Sequence, residues 1–156
     1  AHRRRGVRPG RRGRCYPPTV SSDGPPLTLV VAAVIRDSTG RILLGRRPPG
    51  RHMAGLWELP GGKVREGEPP DAALERELEE ELGVAARCGR PLTFAVHEEH
   101  GLRILLLFYQ ATIEGGEPHG REGQELAWVS ASDLDRYPTP PADAPLLTHL
   151  GSTSRG

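Results

Sequence analysis

Three glutamates, Glu77, Glu80 and Glu81, stand at i, i+3 and i+4 in a stretch rich in Ala, Leu, Glu and Arg. On a helix that spacing puts all three carboxylates on one stripe. Leu74, Leu78 and Leu82 form the neighbouring apolar stripe, so the same helix would seat on a sheet and hold its acidic row at the edge of that seat. Run on its own, Glu79-Glu80-Glu81 would read as a solvated face. The carboxylates crowd the C-terminal end, however, where the helix dipole disfavours negative charge. Something cationic is expected to offset them, and an oxygen-only ligand set suits Mg²⁺ or Mn²⁺ rather than zinc. Just upstream, Gly61-Gly62 would let backbone approach a ligand or metal closely.

The elements that must position these groups follow from the pattern. Pro69 to Leu82 reads as a helix, with Pro at its start and Gly83 just past its end. The apolar run Leu27 to Ile35 reads as a buried strand, followed across Asp37-Ser38-Thr39-Gly40 by a second, Arg41 to Gly45. Residues 46 to 70 form a long Pro/Gly-punctuated loop, a place where function is often found. Leu92 to Val96, Leu102 to Ile113 and Leu126 to Val129 read as further strands. Ser132-Asp133-Leu134-Asp135 opens a short helix by its capping pattern. Ala144 to Leu150 makes a terminal helix.

Composition bounds the rest. A chain of 156 residues, 36% hydrophobic and 26% charged, supports one domain with a core. Gly (20) and Pro (16) make up almost a quarter of it, which implies a loop-rich mixed fold. Residues 1 to 22 hold seven Arg and no acid, so the net charge of +1 hides a remainder with 14 basic against 20 acidic residues. Residues 1–26 are expected to be a disordered Arg/Gly/Pro-rich tail, 27–150 the domain, and 151–156 a flexible end. An acidic domain is a poor grip for a nucleic-acid backbone. No segment approaches the length of a membrane-spanning helix, and Cys15 and Cys88 form neither a metal motif nor a disulfide framework, so a reducing, cytoplasmic setting fits. Monomer and dimer stay open. His97-Glu98-Glu99-His100 is not HExxH and reads as a strand end or turn. Phe94, Phe108 and Tyr109 read as core or pocket lining.

Taken together, Gly62, five residues, Glu68, seven residues, then Arg76-Glu77-Leu78-Glu79-Glu80-Glu81-Leu82-Gly83-Val84 resembles the box of the Nudix hydrolase family, GX5EX7REUXEEXGU with U aliphatic. Every specified position matches. His52-Met53-Ala54, Glu58-Leu59-Pro60-Gly61-Gly62, Gly116-Glu117-Pro118, Gly120-Arg121-Glu122-Gly123-Gln124, Trp128 and Pro140-Pro141-Ala142-Asp143 resemble the MutT-type branch. The resemblance covers nearly everything from Leu27 to Leu150.

The resemblance implies an α/β fold, an α/β/α sandwich with a mixed β-sheet. It also implies metal ligation by Glu77, Glu80, Glu81, Glu122 and the Gly61 carbonyl, with Arg76 orienting a carboxylate and Gly62, Glu68 and Gly83 supporting the box. Glu77 is the first candidate for general base and Glu122 the second. Arg47 and His52 match positions on the phosphate and sugar side, Glu58, Leu59 and Pro60 border the nucleotide, and Asp143 matches a base-reading position where selection of 8-oxoguanine implies Asn. The implied activity is Mg²⁺-dependent hydrolysis of a nucleoside triphosphate to monophosphate and pyrophosphate, with 8-oxo-dGTP or cytidine triphosphates as substrates and nucleotide-pool sanitation as the role. A Nudix hydrolase of another nucleoside diphosphate derivative such as ADP-ribose, and a non-enzymatic nucleotide-binding module, are the alternatives.

Overall fold

A computed structural model describes residues 24–153. Most of the Arg-rich segment, residues 1–23, and residues 154–156 lie outside the described residues, and the tail expectation falls there. Strand β1 (Leu27–Ile35) is the axis of the domain. It pairs parallel with β6 (Leu102–Gly115) and antiparallel with β4 (Gly61–Lys63), while β5 (Ala85–Glu99) pairs antiparallel with β6. The mixed sheet therefore runs β4-β1-β6-β5. A second, three-stranded antiparallel sheet, β3-β2-β7, is built from Trp57–Glu58, Ile42–Arg46 and Glu125–Val129.

Because a strand sends alternate side chains to opposite faces, β1 feeds two cores. Val31, Ala33 and Ile35 meet Leu74, Leu78 and Leu82 of helix α1 (Pro70–Leu82), all of them essentially without solvent exposure. Ala32 and Val34 face the other way, onto Leu44, Phe108, Leu134 and the buried Leu146 and Leu147 of helix α2 (Ala144–Thr153). Helices thus cover both faces of the mixed sheet, the sandwich expected from the sequence. Truncating Leu78 to Ala would cost about 3 kcal/mol, since a filled site cannot collapse completely.

Several boundaries differ from the sequence reading for identifiable reasons. The β5 strand is 15 residues long rather than five, because bulges around Cys88 and Pro91 interrupt its alternation without ending the pairing to β6. The long loop contains β3 and β4. The short helix is 3₁₀, Ala131–Arg136, entered from Ser130 with no side-chain cap, so Ser132 does not serve as one. The α2 helix continues three residues past Leu150 into the expected flexible end, where Ser152 Oγ donates to the Thr148 carbonyl (2.9 Å). Phe108 is core, whereas Phe94 is 66% exposed and lines, with Phe108 and Leu146, a pocket of about 530 Å³.

Candidate active site

The acidic row is built where α1 crosses β4. β4 lies so close to β1 that a Cβ on Gly61 would overlap the Val31 carbonyl, and Gly61 sits at φ 156°. A Cβ on Gly62 would overlap the Glu77 carboxyl instead. The two glycines thus serve two close approaches, one to a strand and one to a carboxylate. Both glycines line the cavity described below.

Arg76 organises the acids. Its Nε and Nη2 fork onto Glu68 (2.7 and 2.9 Å), Nη1 reaches Glu77 (2.7 Å) and Glu80 (3.2 Å), and Nη2 also donates to the Lys63 carbonyl (3.0 Å). The Arg76 hydrogen bonds, with the Arg65 backbone N–H, hold the Glu68 carboxyl at about 2. Arg76 is therefore more than a surface partner of Glu80, its side chain being only 17% exposed. Arg65 adds a second cation on Glu80 (3.2 Å).

Glu81 stands apart. Its Oε2 accepts from the Gly61 N–H (3.3 Å), yet desolvation, and then the charges of Glu122, Glu77 and Glu58, push its carboxyl up to about 8. Glu122 comes from loop 116–124, which wraps the end of α1. Gly83 takes the left-handed conformation (φ 67°) that ends the helix, and the freed carbonyls are then claimed by that loop. His119 N–H donates to Leu82 O (3.1 Å), Arg121 N–H to Glu81 O (3.0 Å), the Arg121 guanidinium to Glu79 O (3.0 Å) and Gln124 Nε2 to Glu81 O (3.0 Å). Part of the cation expected at this helix end is thus the protein's own Arg121. The sequence singles out Arg121 and Gln124 within a motif but not their role at the helix end, and it does not single out His119; Gly83, which announces carbonyls in need of donors, was the available signal.

A cavity of about 430 Å³ is lined by Gly61, Glu81 and Glu122 together with Arg47, His52, Glu58, Leu59 and Asp143. Arg47 Nε donates to Glu58 (2.7 Å) and Nη1 to the His52 carbonyl (2.9 Å). Desolvation raises the Glu58 carboxyl against the pull of Arg47. Asp143 is only 5% exposed. Burial, then the Glu58 charge, push its carboxyl up to about 7, although the Leu59 N–H donates to it. Pro60 is buried and not among the lining residues; its carbonyl is taken by the Ala33 N–H (2.8 Å), so it anchors the loop to β1 rather than forming a wall.

The carboxylates are not drawn to one point among the described residues, since Glu77 and Glu80 turn to Arg76 and Glu122 lies near Arg51. The donor chemistry nonetheless fits a hard divalent ion. All candidate donors are oxygens, and a crowded carboxyl raised to about 8 is one that a cation would relieve.

Comparison with known proteins bears on the class. Residues 26–150 match the NUDIX domain family. The chain is 43% identical over 122 residues to an 8-oxo-dGTP diphosphatase of Haemophilus influenzae, covering 78% of this chain and 89% of that one. It is 42% identical over 118 residues to a CTP pyrophosphohydrolase of Escherichia coli, covering 76% and 87%. The crystal structure of a MutT protein from Methanosarcina mazei superimposes with a TM-score of 0.72 at 27% identity, over 87% of this chain and all of that one. The chain belongs to the Nudix family. Within it, it is a hydrolase of the MutT-like branch, acting on phosphoric anhydrides. No helix among the described residues is long and apolar enough to cross a membrane.

Proposed function

We propose that the protein is a Mg²⁺-dependent nucleoside triphosphate pyrophosphohydrolase that clears 8-oxo-dGTP or cytidine triphosphates from the cytoplasmic nucleotide pool. The observation that supports this reading is that one cavity is lined by Gly61, Glu81 and Glu122 and also by the buried Asp143. Such a cavity suits a ligand with a polyanionic chain and a base to be read. The relatives named 8-oxo-dGTP diphosphatase and CTP pyrophosphohydrolase support the same substrate class.

In this reading Glu77, Glu80, Glu81, Glu122 and the Gly61 carbonyl hold the metal. When bound, the ion supplies charge neutralisation of the phosphate oxygens and a lowered pKa for attacking water. The chain's own residues do the rest. Arg76, forked onto Glu68, would keep the Glu77 and Glu80 carboxylates oriented for the ion. Arg47 and His52 meet the anionic and sugar part of the ligand, and Glu58 fixes the Arg47 guanidinium. Glu77 and Glu122 are the two candidates for general base, and Glu122 lines the cavity. Asp143 faces the base.

The test is product analysis with and without Mg²⁺, using 8-oxo-dGTP, dGTP, CTP, dCTP and ADP-ribose. Pyrophosphate and monophosphate are expected from at least one triphosphate. Hydrolysis of ADP-ribose alone, or binding without turnover, would overturn the reading.

A further inference from the structure

The motif His97-Glu98-Glu99-His100 is left unused by the chemistry above. The β5–β6 hairpin turns at His100 and Gly101, both in the left-handed region (φ 49° and 76°). Two such residues in succession make the tight turn that suits a hairpin. A His in the first place brings its ring back over the strand end. Around Glu99 three imidazoles then gather: His97 Nε2 at 3.4 Å, His52 Nε2 at 3.5 Å and His100 Nδ1 at 3.4 Å. The His52 and His100 rings meet edge to face, 6.4 Å apart. Together these contacts hold the Glu99 carboxyl below the ordinary carboxylate range, His97 contributing most and His52 next.

The partners come from separate parts of the chain. His97 pairs with Ile104 across the hairpin, and Ile104 lines the cavity, so His97 and Glu99 lie on the cavity side of β5. Glu98 faces the other way and pairs with Arg103 (2.9 Å). His52 belongs to loop 47–56, where Met53 is held at φ 58°, a conformation that a side chain such as Met disfavours. That loop is tied at the His52 carbonyl by Arg47 (2.9 Å) and, at the His52 ring, by Glu99.

We propose that Glu99 is a positioning residue: from the hairpin tip it holds the His52 ring at the cavity mouth, with His97 and His100 packed around it, so that the hairpin sets nucleotide affinity without touching the reacting atoms. The link to nucleotide affinity rests on the function proposed above; the mechanical link between hairpin and loop does not.

The experiment compares Glu99→Gln, Glu99→Asp, His52→Gln and the double variant Glu99→Gln/His52→Gln in the full chain. Glu99→Gln is expected to raise KM about fivefold with kcat within about twofold, and Glu99→Asp to recover part of the loss. The double variant is expected to match His52→Gln alone, because Glu99 acts through His52. Effects that multiply in the double variant, or a fall in kcat with KM unchanged, would overturn the proposal. A readout without substrate separates it from the activity. Trypsin cleavage after Arg51, beside His52, is expected to be about threefold faster in Glu99→Gln and unchanged in Glu98→Gln. Equal cleavage of wild type and Glu99→Gln overturns the mechanical link, whereas a wild type that releases no pyrophosphate overturns only the proposed activity. Should Glu99→Gln fold poorly, His100→Asn, which tolerates the left-handed turn, is expected to give the same direction in both readouts, and no change in either would overturn the proposal.

Discussion

The Gly61 backbone N–H donates to Glu81 Oε2 at 3.3 Å, joining β4 to the last turn of α1 across twenty residues of sequence. One hydrogen bond is a small return for a carboxyl that burial and three neighbouring acids push up to about 8. Glu81→Gln keeps the shape and the acceptor oxygen while deleting a charge that the fold does not favour. Activity is expected to fall at least a hundredfold, because a metal-binding charge is lost, while the melting temperature holds or rises. Turnover against Mg²⁺ concentration checks it: wild-type turnover at limiting Mg²⁺ would remove Glu81 from the ligand set. Glu80→Gln is expected to act in the same direction.

The glycine pair separates folding from chemistry. In Gly61→Ala the new Cβ meets the β1 backbone, which cannot yield without breaking the sheet. In Gly62→Ala it meets the Glu77 carboxyl, which can swing aside. Gly61→Ala is therefore expected to lose soluble, cooperatively melting protein, and Gly62→Ala to melt nearly as wild type with weakened metal dependence. Melting curves alongside Mg²⁺ titrations of activity distinguish them, and the reverse pattern would refute the assignment.

Arg76→Lys keeps the charge but loses the fork that spans Glu68, Glu77 and Glu80. Freed from one rigid plane, the carboxylates are expected to bind metal more weakly, lowering activity about tenfold or more at limiting Mg²⁺ and less at saturation. An equal loss at both concentrations would mean that Arg76 acts on something other than the metal ligands.

Much of this site is legible in the sequence because helical spacing is rigid. Glu77, Glu80 and Glu81 follow from the 3.6-residue period, and Gly83 marks the helix end without any tertiary information. What escapes is whatever depends on contacts distant in sequence. Loop 116–124 finds the α1 carbonyls through Arg121 and Gln124, and nothing local in that loop specifies its target. Pro60 reads as a nucleotide neighbour by position, yet its carbonyl is spent on Ala33. The β5 strand is hidden by Gly89-Arg90-Pro91, since a bulge breaks alternation while the ladder to β6 continues. Glu99 is invisible for a similar reason: its meaning comes from His52, 47 positions earlier.

If Asp143 reads the base as proposed, its protonation decides what it can offer. An ionised Asp only accepts hydrogen bonds; it suits the N7 hydrogen of 8-oxoguanine and the amino group of cytosine but repels O6. A protonated Asp donates as well, and burial with the Glu58 charge places its carboxyl at about 7 rather than 3.8. In the folded chain it is thus largely protonated at about pH 6 and largely ionised at about pH 8. The efficiency ratio of 8-oxo-dGTP to CTP is expected to fall across that interval for wild type and to stay flat for Asp143→Asn, whose amide always donates. At about pH 8 the substitution is expected to shift the ratio toward the oxidised guanine tenfold or more, the scale of one unpaired polar group. Stability follows the same proton. A carboxyl raised on folding contributes fully below its unfolded value near 3.8 and loses that contribution as pH rises through about 7. The wild-type melting temperature is therefore expected to drop relative to Asp143→Asn between those values. Measuring kcat/KM for both nucleotides on both variants across the pH range decides the matter: a ratio insensitive to both pH and substitution means that Asp143 does not read the base.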